Sequence, residues 1–416
     1  MTETHFWHPF ANMAQVRSGA FTITRGDGSW VWDDDGRRYL DGTASLWYVN
    51  AGHGRAEIGD AIGRQLQRLA GYSTFGDYTN GPAEQLAERL AALAPSPGAK
   101  VFYGSGGGDA IETAVKLARS YWNAVGAQDR THVISRDRSY HGTHGFGTSL
   151  AGIAPNRDGF GPLDPDHSTV AWDSPEALAK EIDRVGAERV AAFFCEPVIG
   201  AGGVYPPPAG YLEAVAELCA GAGVLLVVDS VICAFGRLGD WFGVERWGIR
   251  PDMITFAKGV TSGYLPLGGV MVAPQIAGPF WEGKGRPFRH GATYAGHPVC
   301  CAAALANIDV LERDNLYRRG GQLEGRLLAA LGAVADHPAV AEVRGGVGLL
   351  GAVELREELL SERPGAVADL QMAVRRAGVL VRPLGTAVAV SPPLVVTDDE
   401  IDLLASAIAE GLDIFR

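Results

Sequence analysis

Two residues set the chemistry open to this chain. Val224-Leu225-Leu226-Val227-Val228 is an apolar run of strand length that ends in Asp229, and Met253-Ile254-Thr255-Phe256-Ala257 ends in Lys258. A strand buried on both faces delivers a functional group at its carboxyl edge in this way. One run offers a carboxylate, the other an amine. A cofactor with a basic ring nitrogen on one side and an aldehyde on the other needs that pair: the acid keeps the ring nitrogen protonated and the lysine forms a Schiff base. Singly, neither residue is informative. An Asp after a strand also serves as a turn residue or helix cap, and a lone Lys as a solvated surface amine.

Two further stretches bear on the pair. The strand Val101-Phe102-Tyr103 runs into Gly104-Ser105-Gly106-Gly107-Gly108-Asp109, and behind it Ala110, Thr113, Ala114, Leu117 and Tyr121 recur at helical spacing. Strand, glycine-rich turn and helix in that order make an anion site, because bare backbone N–H groups at the helix start close on phosphate oxygens without side-chain obstruction. The stretch lacks the lysine of a Walker loop and the opening of the dinucleotide fingerprint, and a plain tight turn is the alternative. Tyr140, in Arg138-Ser139-Tyr140-His141-Gly142, stands at another strand exit, placed to stack on a flat ring, although a core or rim tyrosine is the commoner fate. Carboxylate, amine, phosphate loop and ring partner together describe a site for pyridoxal phosphate.

Those groups need a scaffold. Strands alternate with helical stretches over residues 60–305, including the apolar run Val190–Cys195 stopped by Glu196-Pro197 and the strand Gly269–Val272. The alternation predicts a doubly wound, mostly parallel α/β sheet with its ligand outside the carboxyl ends of the strands. Before it, Phe21–Thr24, Trp30–Trp32 and Arg38–Leu40 are separated by Gly-Asp-Gly and Asp35-Gly36 turns and read as a β-meander. Trp47, in a stretch without clear periodicity, is a candidate pocket wall or an ordinary core tryptophan. Residues 151–168 and 276–298 are rich in glycine and proline and read as loops. A helix from Pro298 to Glu312 leads to strands at Gly348–Leu355, Val379–Val381 and Val388–Val390, mixed with a helix at 366–377 and a last one opened by the capping box Thr397-Asp398-Asp399-Glu400. The expected division is an N-terminal segment, 1–59, packing with a small α+β domain, 306–416, around a large domain, 60–305.

Composition narrows the function classes. With 416 residues, 47% of them hydrophobic, the chain buries a sizeable core. Its formal charge of −12 argues against an extended nucleic-acid surface, which needs a basic patch. Cys195, Cys219, Cys233, Cys300 and Cys301 are odd in number and show no Cys-x-x-Cys spacing, so a disulfide framework or zinc site is not expected and a reducing cytoplasm fits. The opening residues carry neither the basic nor the apolar region of an export signal. No run of 18 apolar residues suggests a membrane span.

In sum of motifs the chain resembles the class III, or ω-type, aminotransferases, which have the fold-type I pyridoxal-phosphate architecture. The resemblance runs from Trp30 to Pro393 and rests on Val231-Ile232-Cys233-Ala234-Phe235-Gly236-Arg237 after Asp229, Thr255-Phe256-Ala257-Lys258-Gly259, Ser262–Gly268, Thr293-Tyr294-Ala295-Gly296-His297-Pro298 and Ser391-Pro392-Pro393-Leu394. It implies that Lys258 is the Schiff-base lysine and the group that then moves the proton, and that Asp229 holds the pyridine nitrogen protonated. By the same resemblance Tyr140 and Val231 sandwich the ring, Gly107 and Gly108 bind the phosphate through backbone amides, and Thr293 reaches it from the neighbouring subunit of a homodimer. Trp47 would form pocket wall. Arg382 falls where relatives carry an arginine that swings to a substrate carboxylate, which suits a guanidinium; a structural ion pair at a strand end is the alternative.

The sequence departs from the family pattern at Ser230, where glutamate is usual, at Gly108, where serine is frequent, and at Ala292 and Ala295, where Phe and Ser are common. The implied activity is transfer of an amino group from an amine or ω-amino acid to a 2-oxo acid such as pyruvate, through a pyridoxamine form. Trp7-His8-Pro9-Phe10 also suggests the 7,8-diaminopelargonate aminotransferase. Decarboxylases and aminomutases of the same fold share the lysine and the aspartate.

Overall fold

The protein, described here by a computed structural model over residues 4–17, 19–283 and 285–416, is built on three sheets. The first three residues of the opening read for an export signal, and Lys284 of the loop 276–298, lie outside the described residues. The meander forms β1 (Ile23–Asp27), β2 (Trp30–Asp33) and β3 (Arg38–Asp41). The central sheet contains β4 (Lys100–Gly104), β5 (His132–Arg136), β6 (His167–Val170), β7 (Val190–Cys195), β8 (Leu225–Asp229), β9 (Met253–Phe256) and β10 (Gly268–Val272). Its order is β4-β10-β9-β8-β7-β5-β6, parallel throughout except that β10 runs against both its neighbours. This is the mostly parallel fold expected from the alternation of strands and helices.

Every residue of β7, β8, β9 and β10 is buried, because helices cover both faces of the sheet; short of their ends the one polar side chain in these strands is Thr255, whose hydroxyl is hydrogen-bonded. The other polar groups come where the strands end. β8 finishes at Asp229, Lys258 follows β9 by two residues, Glu196 follows β7 directly, and Tyr140 lies four residues past β5. The turn after β4 opens the helix Gly107–Ala124. All of these open on one side of the sheet, as a parallel arrangement requires. Two glycines of β10 make the join tight: a Cβ at Gly269 would lie 2.4 Å from the Phe102 carbonyl oxygen, and one at Gly268 would lie 2.6 Å from the Gly106 backbone.

The C-terminal part adds β11 (Val340–Arg344), β12 (Gly351–Leu355), β13 (Val379–Leu380), β14 (Arg382–Leu384) and β15 (Ala387–Val390). The order β11-β12-β15-β14 is antiparallel, whereas β13 leaves this sheet and pairs parallel with β3, Val379 against Leu40 and Leu380 against Asp41. The strand expected at Val379–Val381 is β13, which stops at Leu380, and a further strand, β14, starts at Arg382 in the other sheet, with Val381 between them. β6 and β11 were not legible as strands. β6 is a short His-Ser-Thr-Val at a sheet edge whose first two residues fall in what read as a loop to residue 168, and β11 is an edge strand with two exposed residues. The final helix Asp398–Leu412 begins with the capping box: the Glu400 N–H donates to Thr397 Oγ1 and the Thr397 N–H to Glu400 Oε2.

Arg237 ties these parts together. Its fully buried guanidinium donates from Nη1 to the Leu349 and Pro392 carbonyls, at 2.9 and 2.7 Å, and from Nη2 to Asn50 Oδ1 at 3.0 Å. Burial pulls its pKa down to about 10, against the opposing charge of Asp41. Arg237→Ala strands three buried acceptors at once, and about 3 kcal/mol of destabilisation is expected. A clear fall in the urea unfolding midpoint checks this; an unchanged midpoint would show that water replaces the guanidinium at no cost. The five cysteines are free and buried. Among the described residues no helix is long and apolar enough to cross a membrane.

Candidate active site

A cavity of about 440 Å³ opens at the carboxyl ends of the central strands. Asp229, Lys258, Tyr140, Val231, Gly107, Gly108, Trp47 and Arg382 all line it. Eight of the nine residues singled out in the sequence therefore meet in one place. The ninth, Thr293, is exposed on a turn and does not line this cavity.

Asp229 is held from several directions. Its Oδ2 lies 2.8 Å from His141 Nδ1, and Oδ1 accepts from the Val231 N–H and the Thr255 hydroxyl, both at 3.1 Å. Buried carboxylates need such donors, and these also fix the direction in which the group faces.

Lys258 follows β9 in a left-handed backbone conformation, φ 49°, at the head of the 3-10 turn Lys258–Val260. A non-glycine residue in that region costs on the order of 1 kcal/mol or more and persists only when its surroundings impose it. Here Asn307 imposes it, donating from Nδ2 to the carbonyls of Gly259 and Val260 at 2.9 Å each, while Ser262 Oγ donates to Asn307 Oδ1. Burial pulls the Lys258 amine down from 10.5 to about 8; the charges of Asp229 and Glu196 oppose the shift and that of Arg382 adds to it. A lowered pKa leaves a useful fraction of nucleophilic free base near neutrality. Competitive labelling of the cofactor-free protein with acetic anhydride, read by mass spectrometry, should give a reactivity midpoint near 8 for Lys258. A midpoint above 10 would contradict the burial effect.

The glycine loop meets the cavity at the start of the helix Gly107–Ala124, where the first N–H groups have no partner within the helix. A Cβ at Gly107 would approach Val231 Cγ1 to 3.0 Å, so the loop packs closely on Val231. Asp109 Oδ2 closes the turn by accepting from the Ser105 N–H at 2.7 Å.

Trp47 is positioned by a strained turn. Ala44, Ser45 and Trp47 all have positive φ, and Asp41 holds the turn by accepting from the N–H groups of Thr43 and Ser45 while pairing with His53 at 2.8 Å. The ring packs with Val198, Val204 and Ile232. It is thus both core and cavity wall, so the two readings of the sequence were not exclusive. Arg382 is part-buried, and among the described residues no carboxylate pairs with it. The alternative of a structural ion pair has no partner here. Burial lowers its pKa, with the Tyr140 hydroxyl opposing.

Glu196 and His141, which line the cavity beside Tyr140 and Asp229, had no role assigned from sequence. Glu196 is buried, accepts from the Tyr140 and Gly200 N–H groups at 3.1 and 2.9 Å, and has its pKa raised by burial, opposed by His141 and reinforced by Asp229. It ends the apolar run of β7 just as Asp229 ends that of β8, and that shared pattern was available as a signal. His141 is buried, packs edge-on against Phe194, and leaves Nε2 without a partner. Only the fold brings it to Asp229, 88 residues away.

A family profile described as aminotransferase class-III matches residues 13–412. The chain belongs to the class III aminotransferases. The putrescine–pyruvate aminotransferase of Pseudomonas aeruginosa is 36% identical over 438 residues, covering 99% of this chain and 95% of its own length. The solved structure of a thermostable (S)-enantioselective omega-transaminase from Thermomicrobium roseum matches with a TM-score of 0.94 at 40% identity, over 99% of this chain and 96% of that one. An amine transaminase from an uncultivated Pseudomonas species, in its PLP-bound form, matches with a TM-score of 0.94 at 39% identity, over 99% of each chain. These class III neighbours carry the fold-type I architecture, and the residues of this aminotransferase's cavity fit such a cofactor: an amine, a fixed carboxylate, open helix N–H groups and an aromatic ring line one space.

Proposed function

We propose that this class III aminotransferase is an ω-transaminase that uses pyridoxal 5'-phosphate to move an amino group from an amine or ω-amino acid to a 2-oxo acid such as pyruvate. The observation that carries the reading is the meeting of Asp229 and Lys258, from the adjacent strand ends of β8 and β9, in a cavity whose other wall is the Gly107–Gly108 helix start. When bound, the cofactor supplies an electron sink for the charge left on the amine-bearing carbon as its proton departs. Lys258 would hold the cofactor through its aldehyde and, once the substrate amine has taken its place there, its freed amine would take that proton and return it. Asp229 would keep the ring nitrogen protonated, Tyr140 and Val231 would take the two faces of the ring, and the N–H groups of Gly107 and Gly108 would hold the phosphate. Trp47 bounds the substrate side, and the unpaired guanidinium of Arg382 suits the carboxylate of the oxo acid.

The same reading makes the protein a cytoplasmic homodimer with a large domain at 60–305, a small one at 306–416 and the 1–59 segment packed on the latter. Thr293 reaches the phosphate of the partner subunit's site. Its exposure on its own chain agrees with this, as do the exposed aromatics Tyr72, Phe75, Tyr78 and Tyr294, which a second copy would cover.

A panel of donors including putrescine and β-alanine, with pyruvate as acceptor, tests the function through alanine formation and loss of the cofactor's aldehyde absorbance. Release of carbon dioxide, or an amino group moved within one molecule, in place of alanine would reject it. Borohydride reduction followed by peptide mapping should label Lys258, and a label on any other lysine would contradict its role.

A further inference from the structure

One side chain at the phosphate end of the cavity has no part in the scheme above. His144 lines the cavity beside Gly108, and its ring stands where a side chain at position 108 would go: a Cβ built on Gly108 lies 3.2 Å from both Cε1 and Nε2 of His144 and 3.3 Å from Cδ2. The sequence leaves the second residue of the phosphate-binding helix without a side chain, and the fold fills that volume with an imidazole.

The placement is built. Gly142, at φ +88°, lets the loop after Tyr140 press on the helix start, since a Cβ there would come within 3.1 Å of the Gly108 Cα. Glu112, one turn beyond Gly108 on the same helix, accepts from the Phe146 and Gly147 N–H groups at 2.6 and 3.2 Å and so clamps the helix Gly145–Leu150 that His144 precedes. His144 makes no side-chain cap for that helix. Its Nδ1 is turned to Asp109 Oδ1 at 3.7 Å; with Nδ1–H facing that carboxylate, the imidazolium form presents a second N–H at Nε2, the nitrogen nearer Gly108, to an anionic ligand.

We propose that His144 is a cofactor-phosphate ligand whose imidazole takes the place of the side chain absent at Gly108. The proposal rests on the reading of the cavity as a pyridoxal-phosphate site, and it makes the two positions competitors for one volume. A single hydrogen bond to a charged oxygen corresponds to a change on the order of tenfold in affinity.

The test is titration of the cofactor-free protein with pyridoxal phosphate and, separately, with unphosphorylated pyridoxal, followed by absorbance. His144→Ala should weaken pyridoxal phosphate about tenfold and leave pyridoxal unchanged, while His144→Gln, which keeps an N–H donor, should recover part of the loss. Gly108→Ser should bring no gain beside His144, because its Cβ meets the ring, but should restore affinity in the His144→Ala background, where its hydroxyl occupies the vacated space. Equal losses for both ligands, unchanged affinity in His144→Ala, or the same effect of Gly108→Ser in both backgrounds would overturn the proposal. Wild-type protein that binds neither ligand would instead reject the cofactor reading beneath it.

Discussion

Lys258→Ala is expected to lower kcat by on the order of 10³-fold or more, with little change in the unfolding midpoint. The two halves of this expectation have separate origins. Activity falls because no other amine lines the cavity: among the described residues that line it, the basic side chains besides Lys258 are His141, His144 and Arg382. A guanidinium does not give up its proton near neutrality, His141 is turned to Asp229, and His144 lies beside Gly108. Stability is spared because the left-handed turn at position 258 is imposed by Asn307 through the carbonyls of Gly259 and Val260, and alanine meets the same backbone strain as lysine. The measurement pairs steady-state rates on the best donor with thermal unfolding of the cofactor-free protein. A variant retaining a tenth of the wild-type rate would remove Lys258 from the chemistry. Lys258→Arg should be as inactive as the alanine variant despite its charge, which separates proton transfer from simple electrostatics.

Asp229→Asn should cost about 10²- to 10³-fold in kcat, a loss of the size seen when one fixed electrostatic group is removed from a reacting centre. The change keeps the shape and removes the charge. It also turns one oxygen acceptor into a donor, which disturbs the bonds now made with His141, Val231 and Thr255. The loss should fall on kcat rather than on binding of the cofactor phosphate, which the proposed function assigns to the N–H groups of Gly107 and Gly108 and not to Asp229. A second readout follows from charge. Asp229 favours the ammonium form of Lys258, so removing it should move the Lys258 labelling midpoint below the value of about 8 that burial and its neighbours now set. Should kcat hold within threefold while the midpoint moves, Asp229 would be a tuning group for the lysine and not the partner of a ring nitrogen.

The strands that bear the chemistry were the most legible part of the chain, for one physical reason. A strand covered on both faces admits few polar residues, so a lone charge at the end of an apolar run is conspicuous, as at Asp229 and Lys258. Glu196 obeys the same rule and was passed over because Pro197 made it look like a stop. The short edge strands β6 and β11 carry no such contrast between a buried run and a charged end, and they were missed. The division of Val379–Leu384 between two sheets was equally hidden, since the pairing of Leu380 with Asp41 and of Arg382 with Ala389 depends on strands distant in the chain.

The sequence by itself determined the doubly wound sheet, and it picked out Asp229, Lys258 and the glycine-rich helix start that line the cavity, because each follows from local pattern: apolar runs, their charged ends and a cluster of glycines. Only the tertiary structure decided that His141 bonds to Asp229, that Arg382 faces the cavity without a carboxylate partner, that Asn307 forces Lys258 into its left-handed turn, and that His144 stands in the space beside Gly108. Those facts are relations between segments tens to hundreds of residues apart. Their energies arise from desolvation and close contact, which exist only once the chain has brought the segments together.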